Sequence, residues 1–111
     1  MAQDFERSYA SSISNSSGSP TTLVTSNSDD AAISIRCVNK TTNSANVTVL
    51  IASGGTNYFV IKDAPIPSGG SLELIDSGSK IVIQNSDVLK AYADTATAID
   101  VLVSYVDSIS T

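Results

Sequence analysis

The sequence holds 111 residues, enough for one domain, and a chain of that length buries roughly two-thirds of its unfolded surface without staples. Six basic against eleven acidic residues give a net charge of −5 and a pI near 4.2, which disfavours nucleic acid and anionic membranes because both need a positive field. Histidine is absent and Cys37 is the one cysteine, so a Ser-His-Asp or Cys-His relay, a zinc site of nitrogen and sulfur ligands, and an internal disulfide are all excluded.

The chain opens on a segment unlike the rest. Met1 to Ser8 carries Asp4 and Glu6 where a signal peptide would carry a positive region followed by an apolar one. No apolar run reaches the roughly 18 residues of a membrane span. The protein is therefore expected to work where it is made, or to leave inside something larger. Serines crowd positions 8 to 19, and with only Phe5, Tyr9 and Ile13 as large apolar residues the segment cannot bury enough to fold alone. Residues 1–20 read as an extended arm, docked on a neighbour or flexible, and 21–111 as the folded domain.

From Thr21 the pattern is that of strands. Thr21 to Ser26 is β-prone and ends at the turn formers Asn27 to Asp30. In Ala31 to Asn39, Ile33, Ile35 and Cys37 alternate with Ser34 and Arg36; in Ala45 to Ala52, Val47, Val49 and Ile51 alternate with Asn46, Thr48 and Leu50. Each is a half-buried strand, and the two are expected to form a hairpin. Cys37 reads as a small buried hydrophobe. Gly54 and Gly55 turn the chain into Thr56 to Ile61, apolar on both faces, which predicts two-sided burial or an aromatic surface against a partner. Lys62 to Gly70 contains Pro65 and Pro67 and is confined to an edge or a corner, since proline lacks the ladder donor.

Ser71 to Asp76 and Lys80 to Gln84, separated by Ser77, Gly78 and Ser79, predict a tight hairpin. Val88 to Ala93 is a further strand, although Asp87 to Asp94 is the one stretch able to form a short helical turn. In Ala98 to Asp107, Ile99, Val101, Val103 and Tyr105 share one face, the longest clean alternation in the chain and the mark of a central strand. The fold class predicted is all-β: a single-domain antiparallel β-sandwich or jelly roll of about seven to eight strands, with a small barrel as the other option.

Little chemistry is available to such a chain. A paired-carboxylate glycosidase would need a cleft and aromatic platforms, and tryptophan is absent. The Gly54-Gly55 and Gly69-Gly70 pairs lie between strands, without the lysine spacing or following helix of a phosphate loop. Asp29 with Asp30, or Asp76 with Asp87, offer oxygen ligands for calcium but equally solvate a loop. Asn15-Ser16-Ser17, Asn39-Lys40-Thr41 and Asn46-Val47-Thr48 match the glycosylation acceptor pattern, as a surface rich in Ser, Thr and Asn does by chance. No catalytic residue, metal ligand, cofactor or small-molecule substrate is expected, and the chain is not read as an enzyme. Small hydroxyl side chains on outward strand faces suit repeated subunit contact.

Residues Lys62 to Asp107, with a Pro-Ile-Pro-Ser-Gly-Gly turn, a glycine-turned hairpin, an Asp-containing turn and a terminal alternating strand, resemble small virion structural proteins of tailed bacteriophages, especially those of marine cyanobacteria. Asp4, Phe5 and Glu6 match the acidic, aromatic opening of that family. The resemblance implies a non-enzymatic accessory or decoration subunit of head, neck or tail, assembled in the host bacterial cytoplasm and located in the virion. Its partners would be other virion proteins and copies of itself, with no nucleic acid or membrane. The alternative is a carbohydrate- or receptor-binding module of a phage fibre. In either setting the contact residues expected are Phe5, Tyr9 and Ile13 on the arm, and Tyr58, Phe59, Pro65, Ile66 and Pro67 on the domain.

Overall fold

The computed structural model describes residues 4–75 and 81–107. They form nine strands and no helix: β1 (Asp4–Ala10), β2 (Thr21–Thr25), β3 (Asp30–Asn39), β4 (Ala45–Ser53), β5 (Thr56–Ile66), β6 (Ser71–Glu73), β7 (Ile81–Ile83), β8 (Val88–Ala93) and β9 (Ile99–Asp107). One sheet runs β1-β9-β3-β6 with β7 also on β3; the other runs β2-β8-β4-β5. All pairings are antiparallel. β6 and β7 lie end to end along β3, opposite Arg36 to Val38 and Asp30 to Ala32 respectively. Counting them as one lane leaves four lanes per sheet in jelly-roll order, so the all-β sandwich expected from the alternation is the fold.

The core sits between the sheets and is aliphatic. Ile35 and Cys37 of β3 and Ile99, Val101 and Val103 of β9 face Val47 and Val49 of β4 and Leu89 and Ala91 of β8, all essentially inaccessible. Each such Val, Ile or Leu side chain stabilises the fold by about 1.5–3 kcal/mol relative to exposure. β9 is central, as its alternation predicts. None of the six aromatic residues is buried: Tyr92 and Tyr105 are half-covered and the other four are exposed.

Several local expectations are corrected. β3 and β4 are not a hairpin, because the chain crosses from one sheet to the other between them. The true hairpin is β4–β5, whose Gly54 and Gly55 have φ of 59° and 85°, the two left-handed positions that the tightest hairpin turn requires. The expected hairpin around residues 77–79 is also replaced: β6 and β7 each pair with β3, and residues 76–80 lie outside the described residues. Glu73 accounts for part of this. Its carboxylate accepts hydrogen bonds from the Ile35 and Ile75 amides and the Ser34 hydroxyl at 2.9, 3.2 and 2.8 Å, fastening β6 to β3 where the ladder ends. Two expectations hold: Val88 to Ala93 is a strand and takes no helical turn, and β5 continues through Pro65 at the sheet edge, where proline is tolerated.

One end of the sandwich is closed by Asn39. Its side chain is fully buried and donates to the Asn43 and Ile66 carbonyls at 2.8 and 3.0 Å, while its oxygen accepts from the Thr41 amide and hydroxyl at 2.9 and 2.8 Å. Its backbone N–H donates to the Gly70 carbonyl at 2.9 Å. At Gly70 a Cβ would stand 3.0 Å from the Pro67 ring and 3.1 Å from the Pro67 carbonyl oxygen, so a side chain here would require the Pro67 turn to shift by a few tenths of an ångström.

Candidate assembly surfaces

β1 lies at the edge of its sheet, paired with β9 from Asp4↔Asp107 to Ala10↔Val101. Its period-two alternation places Phe5, Arg7 and Tyr9 on the outer face, with Phe5 82 % and Tyr9 62 % exposed. The Arg7 guanidinium sits 4.9 Å from the Tyr9 ring centre, a cation–π contact that keeps the ring extended on the surface. Two shallow depressions adjoin this strand, one lined by Phe5, Glu6, Arg7, Ile33 and Ser104, the other by Tyr9, Ala10, Ser11, Asp100 and Leu102.

The chain leaves β1 through a clasp. Ser12 has φ of 54°, uncommon for a residue with a side chain. Its amide donates to Asp100 Oδ1 at 2.8 Å; Lys40 Nζ reaches the Ser12 hydroxyl at 2.7 Å and Asp100 Oδ1 at 2.9 Å. Desolvation pushes the Asp100 carboxyl up, but the Lys40 and Ser12 hydrogen bonds and the Lys40 charge outweigh it and hold its pKa below the ordinary value. Ile13 then enters the core at 1 % exposure.

The second surface is β5, the edge of the other sheet. Tyr58 and Phe59 are 59 % and 49 % exposed and, as neighbours in a strand, point to opposite faces. Lys62 Nζ lies 4.8 Å from the Phe59 ring centre. Farther along, Asp63 adopts φ of 51° where the register with β4 shifts, its amide bonded to the Thr48 hydroxyl at 2.9 Å. A bulge followed by Pro65 blunts that half of the edge and leaves Thr56 to Ile61 open.

The Ser8 hydroxyl donates to the Leu23 carbonyl at 2.6 Å, so β1 stacks beside β2. β5 is at the other edge of the β2 sheet. The two aromatic surfaces therefore occupy opposite edges of the sandwich. Of the contact residues expected from sequence, Phe5 and Tyr9 fall on the first, and Tyr58, Phe59, Pro65 and Pro67 on or beside the second. Ile13 and Ile66 are both core residues. Leu102 escaped the sequence reading, because only the β1–β9 register sets it opposite Tyr9, and Arg7 did so because residues 4–10 were not read as a strand whose alternation groups it with Phe5 and Tyr9.

Two of the loop carboxylates considered as cation ligands are hydrogen-bonded within the fold. Asp30 accepts from the Ser26 and Ser28 hydroxyls, each at 3.1 Å, and Asp87 accepts from the Gln84 amide at 3.0 Å. No group of three or more His, Cys, Asp or Glu that could hold a metal occurs among the described residues. Tyr105 is pushed above its ordinary pKa by burial and then by the charges of Glu6, Asp30 and Asp107. Cys37 is fully buried, and desolvation, assisted by the Glu73 charge, raises its thiol to about 12. Such a thiol is inert in the folded chain.

No family model matches the chain, and no curated protein matches it. Among solved structures it is similar to a chain of the Bacillus endospore appendages, described as a novel family of disulfide-linked pili, with 16 % identity over 98 % of this chain and 88 % of that one and a TM-score of 0.54. The likeness is one of fold. It overturns the resemblance to tailed-phage virion proteins, and with it the expected decoration role in head, neck or tail and the virion location. The quoted motifs are turn chemistry that any sandwich of this topology needs, so they do not discriminate between lineages. The fibre-borne sugar-binding alternative falls as well: Tyr58 and Phe59 face opposite ways, and Phe5 and Tyr9 lie on the other sheet, so the rings do not gather in one groove.

Proposed function

We propose that this chain is a non-enzymatic structural subunit that polymerises with copies of itself into a pilus-like fibre on a cell or spore surface. The observation that carries the reading is the placement of the aromatic residues. A core built wholly from aliphatic side chains leaves four exposed rings on two edge strands, where they serve contact between proteins and not the stability of one. Two different surfaces on opposite edges suit head-to-tail association, which propagates without closing. The fold shared with a subunit of Bacillus endospore appendages supports the same reading.

The mode of linkage differs from that of those disulfide-linked pili. The 111 residues contain one cysteine, it is buried, and its thiol is protonated at neutral pH. Contact between copies is then non-covalent, made by edge backbone, rings and small hydroxyl residues.

Sedimentation and negative-stain imaging of the purified chain test this. The wild type is expected to form concentration-dependent fibres that persist in reducing agent. Phe5→Ser/Tyr9→Ser and Tyr58→Ser/Phe59→Ser should each fold and each abolish fibres. A wild-type chain that stays monomeric at high concentration would sink the proposal.

A further inference from the structure

We propose that β1 is an exchangeable strand: in the assembled fibre, residues 4–10 of one copy leave their own β9 and pair with β9 of the next. This rests on the self-assembly reading above and states how two copies are joined.

β1 is attached to its own subunit by little besides its backbone ladder. It has a single sheet neighbour, β9. Its outward side chains and Glu6 are exposed, Ser8 contributes one hydroxyl hydrogen bond to β2, and Ala10 alone packs against the core. A segment with so little apolar burial opens at a small fraction of the global unfolding free energy.

A hinge and an anchor follow directly. Ser12 holds a left-handed backbone through the Asp100–Lys40 clasp. The next residue is locked, the Ile13 amide donating to the Ile99 carbonyl at 2.9 Å and the Ser14 carbonyl accepting from the Ala93 amide at 2.8 Å. Release of the clasp lets Ser12 relax to extended backbone and swings β1 away, while everything from Ile13 onward stays in place. The vacated β9 edge is complementary to β1 by construction, since an incoming strand remakes the pairing from Asp4↔Asp107 to Ala10↔Val101. A strand handed from each copy to the next generates an open chain, the symmetry that a fibre requires.

Arg7 and Ser104 are cross-strand partners on the outer face, so R7C/S104C reports where β1 resides. Fibres of this variant, oxidised and run on a non-reducing denaturing gel, are expected to give a ladder of covalent dimers and higher species that collapses on reduction. Monomers oxidised before assembly should be locked and form no fibres until reduced. A mixture of the single variants R7C and S104C should give dimers bridged between the two introduced thiols. Fibres that yield only internally bridged monomers, with no bridged dimers from the mixture, overturn strand exchange and leave self-assembly standing. Wild-type chains that form no fibres overturn both.

Discussion

Asn39→Ala is the most informative single change to the fold. The substitution deletes four side-chain hydrogen bonds: two received by the Asn43 and Ile66 carbonyls and two donated by Thr41. The Thr41 and Asn43 groups lie near solvent, and water replaces their partner at small cost. The Ile66 carbonyl belongs to a residue with no accessible surface that also pairs with Ala45 in the β4–β5 ladder, so its lost bond, like the other three, counts at about 1 kcal/mol net. The sum is about 4 kcal/mol, a large share of the roughly 5–15 kcal/mol that holds a domain together. Urea titration followed by far-ultraviolet circular dichroism should show the midpoint falling with the slope unchanged. Asn43→Ala, which removes an exposed side chain and keeps the carbonyl, should stay within about 0.5 kcal/mol of wild type. A loss below about 1 kcal/mol in Asn39→Ala would refute the claim that this residue closes the end of the sandwich, because it would mean that its four hydrogen bonds together carry little net free energy.

Other consequences are equally direct. Cys37 should not react with an aromatic disulfide reagent in the native protein and should react fully in denaturant, as burial and a thiol pKa of about 12 require. A folded pKa raised from 9.0 to about 12 means that the folded chain keeps a proton the unfolded chain loses; the associated stability is complete below pH 9 and declines towards pH 12, with a steeper slope in wild type than in Cys37→Ala. Asp100 has the opposite sign: its depressed pKa contributes stability above the unfolded value that is lost as pH falls through the folded one. Acidification, or Asp100→Asn at neutral pH, should lower the protection factors of the amides of residues 5–10, taken against the intrinsic rate at each pH, while the core stays protected, and unchanged protection would contradict the clasp. Glu73→Ala, which frees the Ile35 and Ile75 amides and the Ser34 hydroxyl, should cost about 1.5–3 kcal/mol in thermal or chemical unfolding.

The strands of the sandwich were legible wherever one face alone is buried. β3, β4, β8 and β9 announce themselves through alternation, and β9 could be placed centrally because its inward positions carry an unbroken apolar series. Pairing was less legible. β3 and β4 look like a hairpin because both alternate and a short turn separates them, yet alternation records only that a strand has an inner face, not which sheet it joins. The Ser71–Gln84 region misled for a similar reason, since the Glu73 carboxylate that ties β6 to β3 acts across 38 residues of sequence. β1 was hidden by composition: a strand whose outer face carries Phe5 and Tyr9 and whose inner face carries Glu6, Ser8 and Ala10 inverts the usual pattern. Phe5, Tyr9, Tyr58 and Phe59, which the structure leaves exposed, could be singled out from aromatic character. Ile13 and Ile66 could not be distinguished from them, because a lone apolar residue between polar ones reads the same whether it is a surface knob or an anchor.

The placement of the rings also determines what light can report about this protein. With no tryptophan, and with Tyr9 and Tyr58 exposed at the two edges while Tyr92 and Tyr105 are half-covered, half of the tyrosine signal comes from rings that melting of the interior hardly changes. They will respond instead when one molecule meets another. If copies associate through these edges as proposed, the exposed tyrosines give an intrinsic optical signal of that contact, and it can be followed without attaching a dye.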